Sequence, residues 1–305
     1  MTRRNIKINQ AFVIKLFLTF LVVYLFFITA RAFKDSNFFI KRDRITFVFY
    51  EQQSSFISLG LADNVHYVGY FDNGIEVIVP GGYGRYKIGA LGRLADLEKK
   101  PALIQKTFSS TLSTYVDFYF VPKQSPIFFE DKNADTLDYF IPRLSPIDVF
   151  FNTRYFTNAN IADKLFIFIT MFDKKRNDFS LIKTANVKKD EDQRIFMEDR
   201  FDKKYQGYFY EKTLRDENKN VKIYYGLYKS AKIISRILEG EGIRVVDLSE
   251  TKTKETNCLI IENSDEKSKT ATFLSRQLDC NWKKGDTDEV DLIILLGERL
   301  EGEWE

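Results

Sequence analysis

Histidine is nearly missing from this sequence: His66 is the only one among 305 residues, and there are two cysteines, Cys258 and Cys280. A multi-histidine zinc centre, a two-histidine iron centre, a zinc finger and an iron–sulfur ligand set are thereby excluded, so no metal ligands are assigned. A Ser-His-Asp or Cys-His enzyme would have to be built on His66 alone. That residue lies in the strand-like run NVHYVGYF without recognisable partners, so it reads as structural. Excess charge is missing too. Lys+Arg is 46 against Asp+Glu 43, a net of +3. No basic stripe or helix-turn-helix pattern appears, which argues against nucleic acid as a partner. What is abundant is Phe (29) and Tyr (16), within a hydrophobic fraction of 44%. Such a chain is not wholly disordered and is long enough for about two domains.

One long apolar run stands out. Residues 11–30 read AFVIKLFLTFLVVYLFFITA, with Lys15 as the single charge. At ~1.5 Å per residue it matches the roughly 30 Å of a bilayer core and predicts a transmembrane helix. It is longer than the roughly 7–15 apolar residues of a signal peptide, which favours a retained anchor over a cleaved leader. Residues 1–10 are then a cytoplasmic tail and 31–44 a linker. Arg3, Arg4 and Lys7 precede the run, and Arg31, Lys34, Lys41, Arg42 and Arg44 follow it. Taken alone, that distribution does not favour an external C-terminal bulk.

Two α/β regions follow. In residues 45–210, strand-like runs are predicted at Ile45–Tyr50, Phe56–Leu61, His66–Phe71, Ile75–Val79 and Val116–Val121, and helices at Ile88–Glu98 and Ala102–Leu112. The apolar run Ala162–Phe172 is of ambiguous type, and the charged Lys188–Lys204 reads as a solvated helix or loop. Residues 220–297 read β-α-β-β-α-β. Strands are predicted at Val221–Tyr225, Ile243–Leu248, Cys258–Ile261 and Asp291–Leu296. A helix over Ser230–Leu238 stops at Gly240-Glu241-Gly242, and a second begins near Asn263.

The second region resembles the LytR C-terminal domain, through VKIYYGLYKSAKIISRILEGEGIRVVDL (Val221–Leu248) and the closing DLIILLGE. The first is similar to a divergent LytR-CpsA-Psr domain, through VPGGYGRYKIGAL (Val79–Leu91) and TFSSTLSTYVDFYF (Thr107–Phe120). The resemblance implies a membrane-anchored protein whose bulk lies outside the cytoplasm of a bacterium. Active members move glycopolymers from polyprenyl pyrophosphate onto peptidoglycan, using magnesium, acidic ligands and arginines. The family's Asp-x-Arg after the first strand is replaced here by Tyr50-Glu51-Gln52-Gln53, and its Pro-Arg-Asp by Pro80-Gly81-Gly82. Arg194 and Arg200 are candidates for the later arginines. The polar Asn-Gly-Ser/Thr-Gly turn of the C-terminal domain is replaced by Tyr225-Gly226-Leu227-Tyr228. These departures point to a non-catalytic cell-envelope protein that binds an envelope polymer, its lipid carrier or a partner protein, with no cofactor. The alternatives are an active transferase, which would use magnesium, and a structural assembly factor.

Among the residues themselves, Gly81, Gly82 and Gly84 with Arg85 and Lys87 form the best candidate phosphate site. Successive N–H groups of a Gly-rich turn can cradle an anion, and two cations can neutralise it. The competing reading is a plain turn with two solvated cations. Cys258 and Cys280 are open to two readings, a disulfide or two buried thiols. Tyr67, Tyr70, Phe71, Phe118 and Phe120 line either a lipid pocket, as the resemblance implies, or ordinary core. Asp131, Asp135 and Asp138 have poor spacing for a metal cage.

Overall fold

The computed structural model describes residues 10–34, 36, 42–51, 53–123, 141–151, 154–184, 187–190, 193–251 and 255–305. Asp131, Asp135 and Asp138 lie outside them. In chain order, α1 (Gln10–Lys34) precedes β1 (Arg44–Phe49), β2 (Ser54–Gly60), β3 (His66–Phe71), β4 (Ile75–Val79) and β5 (Gly84–Lys87). A 3-10 turn at Ile88–Ala90 leads into α2 (Leu91–Leu97) and α3 (Ala102–Leu112). Next come β6 (Phe118–Pro122), α4 (Pro146–Phe151), β7 (Tyr155–Thr157), α5 (Ile161–Phe172), β8 (Phe179–Ile182), β9 (Val187–Asp190), β10 (Gln193–Phe196), α6 (Glu198–Tyr205) and α7 (Lys212–Glu217). The C-terminal unit holds β11 (Asn220–Tyr225), α8 (Tyr228–Gly240), β12 (Arg244–Glu250), β13 (Leu259–Glu262), α9 (Lys269–Gln277), β14 (Asn281–Lys284), β15 (Leu292–Leu295) and α10 (Glu298–Trp304).

Among the described residues, no helix is long and apolar enough to cross a membrane. This corrects the expected transmembrane helix and, with it, the single-pass arrangement with the bulk outside the cytoplasm. The run does form α1, which touches α5. It carries Lys15 near its start, whose carbonyl accepts from Thr19 Oγ1 at 2.9 Å.

The first unit stacks layers on a six-stranded sheet of order β7-β6-β1-β2-β3-β8. β1 explains why it is covered on both sides. All six of its residues are buried, and period-two alternation divides them between two cores. Val48 joins Tyr50, Phe56 and Phe71 against α2, α3 and the smaller sheet β5-β4-β10-β9. Ile45, Phe47 and Phe49 face the other way, toward α4 and α5. The charged segment read as solvated is instead β9, β10 and α6, with Phe196, Phe201 and Tyr205 buried. α6 is amphipathic, and its apolar positions are few but large.

The second unit has a five-stranded sheet of order β12-β11-β15-β13-β14. The expected βαββαβ order gains a strand, β14, and a closing helix, α10. Leu300 and Trp304 of α10 enter the same core as Val221, Ile223 and Ile294, so this core extends past Gly297. Cys258 and Cys280 are joined in a disulfide that ties the starts of β13 and β14.

The two units meet across a dense polar seam. Arg42 pairs with Asp117 at 2.5 Å, with Glu211, and with Glu241 at 4.0 Å, all of them buried. Glu241 also accepts from Thr114 Oγ1 at 2.7 Å and Tyr115 N at 2.6 Å. A Cβ at Gly240 would stand 1.6 Å from the Ser113 carbonyl oxygen, so the end of α8 abuts the end of α3 backbone to backbone.

Candidate functional site

The predicted phosphate loop is a hairpin turn between β4 and β5. Gly81, Gly82 and Gly84 all adopt left-handed backbone, with φ of 91°, 78° and 81°, which other residues reach only with strain. Its N–H groups do converge on an acceptor, but an internal one: Gly81 N and Gly82 N donate to the Glu305 carbonyl at 3.1 and 3.2 Å. Arg85 and Lys87 stand exposed on β5, opposite Ile78 and Glu76. Arg85 lies within electrostatic reach of Glu198. The cations are thus spread along an edge strand rather than gathered over the turn. Beside this turn, a cavity of about 350 Å³ opens at the seam, walled by Lys100, Lys106 and Glu303. Lys106 is held there by Glu303 at 2.5 Å.

The N-terminus of α8 shows the same pattern. Gly226 N and Leu227 N donate to Glu301 Oε1 at 2.6 and 3.0 Å. A carboxylate from α10 thus caps the start of α8, since helix-terminal N–H groups need an acceptor.

Open space with chemical character lies instead under the first sheet. A cavity of about 290 Å³ is lined by Phe47, Phe49, Leu144, Ile167, Phe168 and Met171, with Arg143 at its wall. β1 supplies its floor, because Phe47 and Phe49 share one face. α5 supplies its roof, oriented by a capping box in which Asn160 and Asp163 satisfy each other's backbone N–H groups. Phe49 links this cavity to a polar cluster at the end of β1. Its ring meets that of Tyr155 at 5.7 Å, and the Tyr155 hydroxyl donates to Glu51 Oε1 at 2.6 Å. Burial, reinforced by Glu51, holds the Tyr155 phenol well above its ordinary range.

One cation reaches this pair, and two more belong to the neighbouring elements. Arg154 lies 3.9 Å from Glu51. Lys123 sits 5.3 Å over the Phe156 ring. The buried Lys164 donates to the Asp148 carbonyl at 3.3 Å; burial, with Lys123 nearby, lowers its pKa. Carboxylate, phenol and cations at a strand's C-terminal end form the kind of group that receives ligands in α/β sheets. The sequence named Glu51 only within Tyr50-Glu51-Gln52-Gln53, as a departure from the resemblance and not as a site. Tyr155 and Lys164 gave no signal, being over a hundred residues away along the chain.

The other candidates separate. Tyr50 is buried, donating to the Gly89 carbonyl and accepting from Gly92 N. Burial pushes its pKa up to about 12. Of the five aromatics named from sequence, Tyr70 lines a second cavity, of about 390 Å³. Phe71, Phe118 and Phe120 are core, and Tyr67 packs against it. Arg194 is clamped by Asp72 at 2.7 and 2.8 Å, whereas Arg200 is exposed on α6. His66 is buried, with neither ring nitrogen hydrogen-bonded. Burial, then Lys174 and Arg44, lower its pKa and favour the neutral ring.

No protein-family model and no curated protein sequence matches this chain. Solved structures similar to it include TagV of B. subtilis, at 9% identity over 53% of this chain and 94% of that one, with a TM-score of 0.36. TagT of B. subtilis is similar at 12% identity over 53% and 87%, with a TM-score of 0.35. A structure of TagT bound to LIIa-WTA is similar at 14% identity over 26% and 32%, with a TM-score of 0.22. The likeness is to LytR-CpsA-Psr family enzymes, and it is distant.

Proposed function

We propose that this protein binds a lipid-linked cell-envelope glycopolymer without turning it over. The observation that carries this reading is the apolar cavity of about 290 Å³ beneath α5 with the Glu51–Tyr155 cluster and its cations at one end. An apolar chain gains on entering such a space, and the adjoining Arg154 and Lys123 suit a phosphate. The sequence lacks the family's acid–arginine pattern, so the groups that would stabilise charge on a transferring phosphoryl are missing from their usual positions. The reading predicts that the full chain binds a polyprenyl pyrophosphate, with magnesium present, and releases no phosphate. Failure to bind would sink it.

One observation favours a second reading. Glu51 accepts from the Tyr155 hydroxyl and lies 3.9 Å from Arg154, so an active transferase could be built from this rearranged trio. Phosphate release that is lost in Glu51→Gln would establish that alternative.

A further inference from the structure

α5 is apolar on both sides. Ala162, Ile167 and Met171 point into the core. Ile161, Ile169 and Phe172 point out, and Phe172 is 73% exposed. A helix that is apolar all round is normally covered all round. The adjacent α4 repeats the pattern, with Ile147, Phe150 and Phe151 at helical spacing on its outer side and Phe151 also 73% exposed. The two helices are fastened together by the Lys164–Asp148 contact, so these six side chains form one patch.

The rim of the patch is basic. Arg143 donates to the Lys174 carbonyl at the end of α5. Lys174, Lys175 and Arg176 follow α5 after its C-cap Asp173, and Lys123 and Arg154 flank β7. The nearby acids offset only part of this charge: Asp148 is buried against Ser145, Glu51 is engaged by Tyr155, and Asp173 and Asp178 remain. Two copies joined symmetrically through this patch would set one basic rim against the other. An anionic lipid surface complements it, since apolar side chains enter the headgroup boundary while the cations meet the phosphates.

We infer that the outer face of α4 and α5 rests on an anionic lipid surface. Such contact needs no helix that crosses the bilayer. Phe172 belongs both to this patch and to the wall of the 290 Å³ cavity, so a lipid chain could reach the cavity without passing through water. The contact stands on the patch and its rim and does not require that the cavity be filled.

The test uses the full chain. Its two native cysteines are bridged, so a single introduced cysteine takes a nitroxide label uniquely. Labels would be placed by Phe151→Cys, Phe172→Cys and, as a remote control, Lys283→Cys. Phosphatidylcholine vesicles with and without phosphatidylglycerol would be added, and collision with oxygen and with a water-soluble nickel chelate recorded. The expected result is a several-fold gain in oxygen over nickel accessibility at positions 151 and 172 and none at 283. It should require phosphatidylglycerol, weaken with salt, and shrink in K174E/K175E. Vesicle-bound protein with unchanged labels at 151 and 172 would place the contact on α1 alone and overturn the inference. So would protein that ignores the vesicles, or labels immobilised without vesicles, which would mean a second copy covers the patch.

Discussion

Arg42 and Asp117 form a buried ion pair at 2.5 Å, and the same guanidinium serves Glu211 and Glu241 across the junction of the two units. Burial works against the Arg42 charge, but the three carboxylates hold its pKa above the ordinary range. Removing the cation leaves those carboxylates uncompensated. Arg42→Met is expected to cost about 3–5 kcal/mol, measured as a lowered urea midpoint. A loss below ~1 kcal/mol would show that the seam does not hold the fold.

Glu241 carries the pH dependence of that seam. Burial pushes its pKa up to about 8, against the opposing pull of Arg42, and burial likewise pushes Asp117 up to about 6. An acid whose folded pKa is raised binds its proton more tightly in the folded state. Stability is therefore full below the ordinary carboxylate range and falls as pH rises, through about 6 for Asp117 and about 8 for Glu241. Urea unfolding across that window is expected to show the decline in the natural chain and a flatter curve in Glu241→Gln. A rise with pH over the same window would contradict this sign.

Gly240 marks where the units touch most closely. Its absent Cβ leaves room for the Ser113 carbonyl, which a methyl would meet at 1.6 Å. Gly240→Ala is expected to destabilise by about 1–3 kcal/mol, although alanine favours helices elsewhere. A neutral or stabilising effect in thermal unfolding would mean that α8 and α3 are not in backbone contact.

The Cys258–Cys280 bridge closes 22 residues of separation within the second unit. A loop of that size is worth about 3 kcal/mol through the unfolded chain. Reduction is expected to lower the unfolding midpoint accordingly, and two free thiols by alkylation without reductant would rule the bridge out.

Much of the framework was legible because local patterns decide it. The β-rich apolar run of β1 and the small-residue helix α8 were readable from local composition and apolar spacing. α10 was not, since Leu300 and Trp304 are two apolar residues in an acidic stretch and only tertiary contact reveals their burial. β14 is four residues long, Asn-Trp-Lys-Lys, with a single apolar residue, which hides it. The site divides in the same way. Gly81 and Gly82 were found as a turn with convergent N–H groups, yet their acceptor, Glu305, lies at the other end of the chain. The Glu51–Tyr155 bond spans 104 residues, a distance no local pattern encodes. The apolar run of α1 misled in the opposite sense, because composition announced a span that the described helix does not provide.

The central claim is that the cavity beneath α5 receives an apolar chain. Ile167 is 2% exposed and lines it, so Ile167→Trp would fill the space from within. The most direct measurement is titration of a polyprenyl phosphate into the natural chain, Ile167→Trp and Arg85→Ala/Lys87→Ala, with thermal unfolding to establish that each variant folds. The expected result is saturable binding that drops at least about tenfold in Ile167→Trp, roughly 1.4 kcal/mol, and is unchanged in the double alanine variant. Undiminished binding in a folded Ile167→Trp, with loss in the double variant, would contradict the cavity and return the ligand to the Gly81–Lys87 turn.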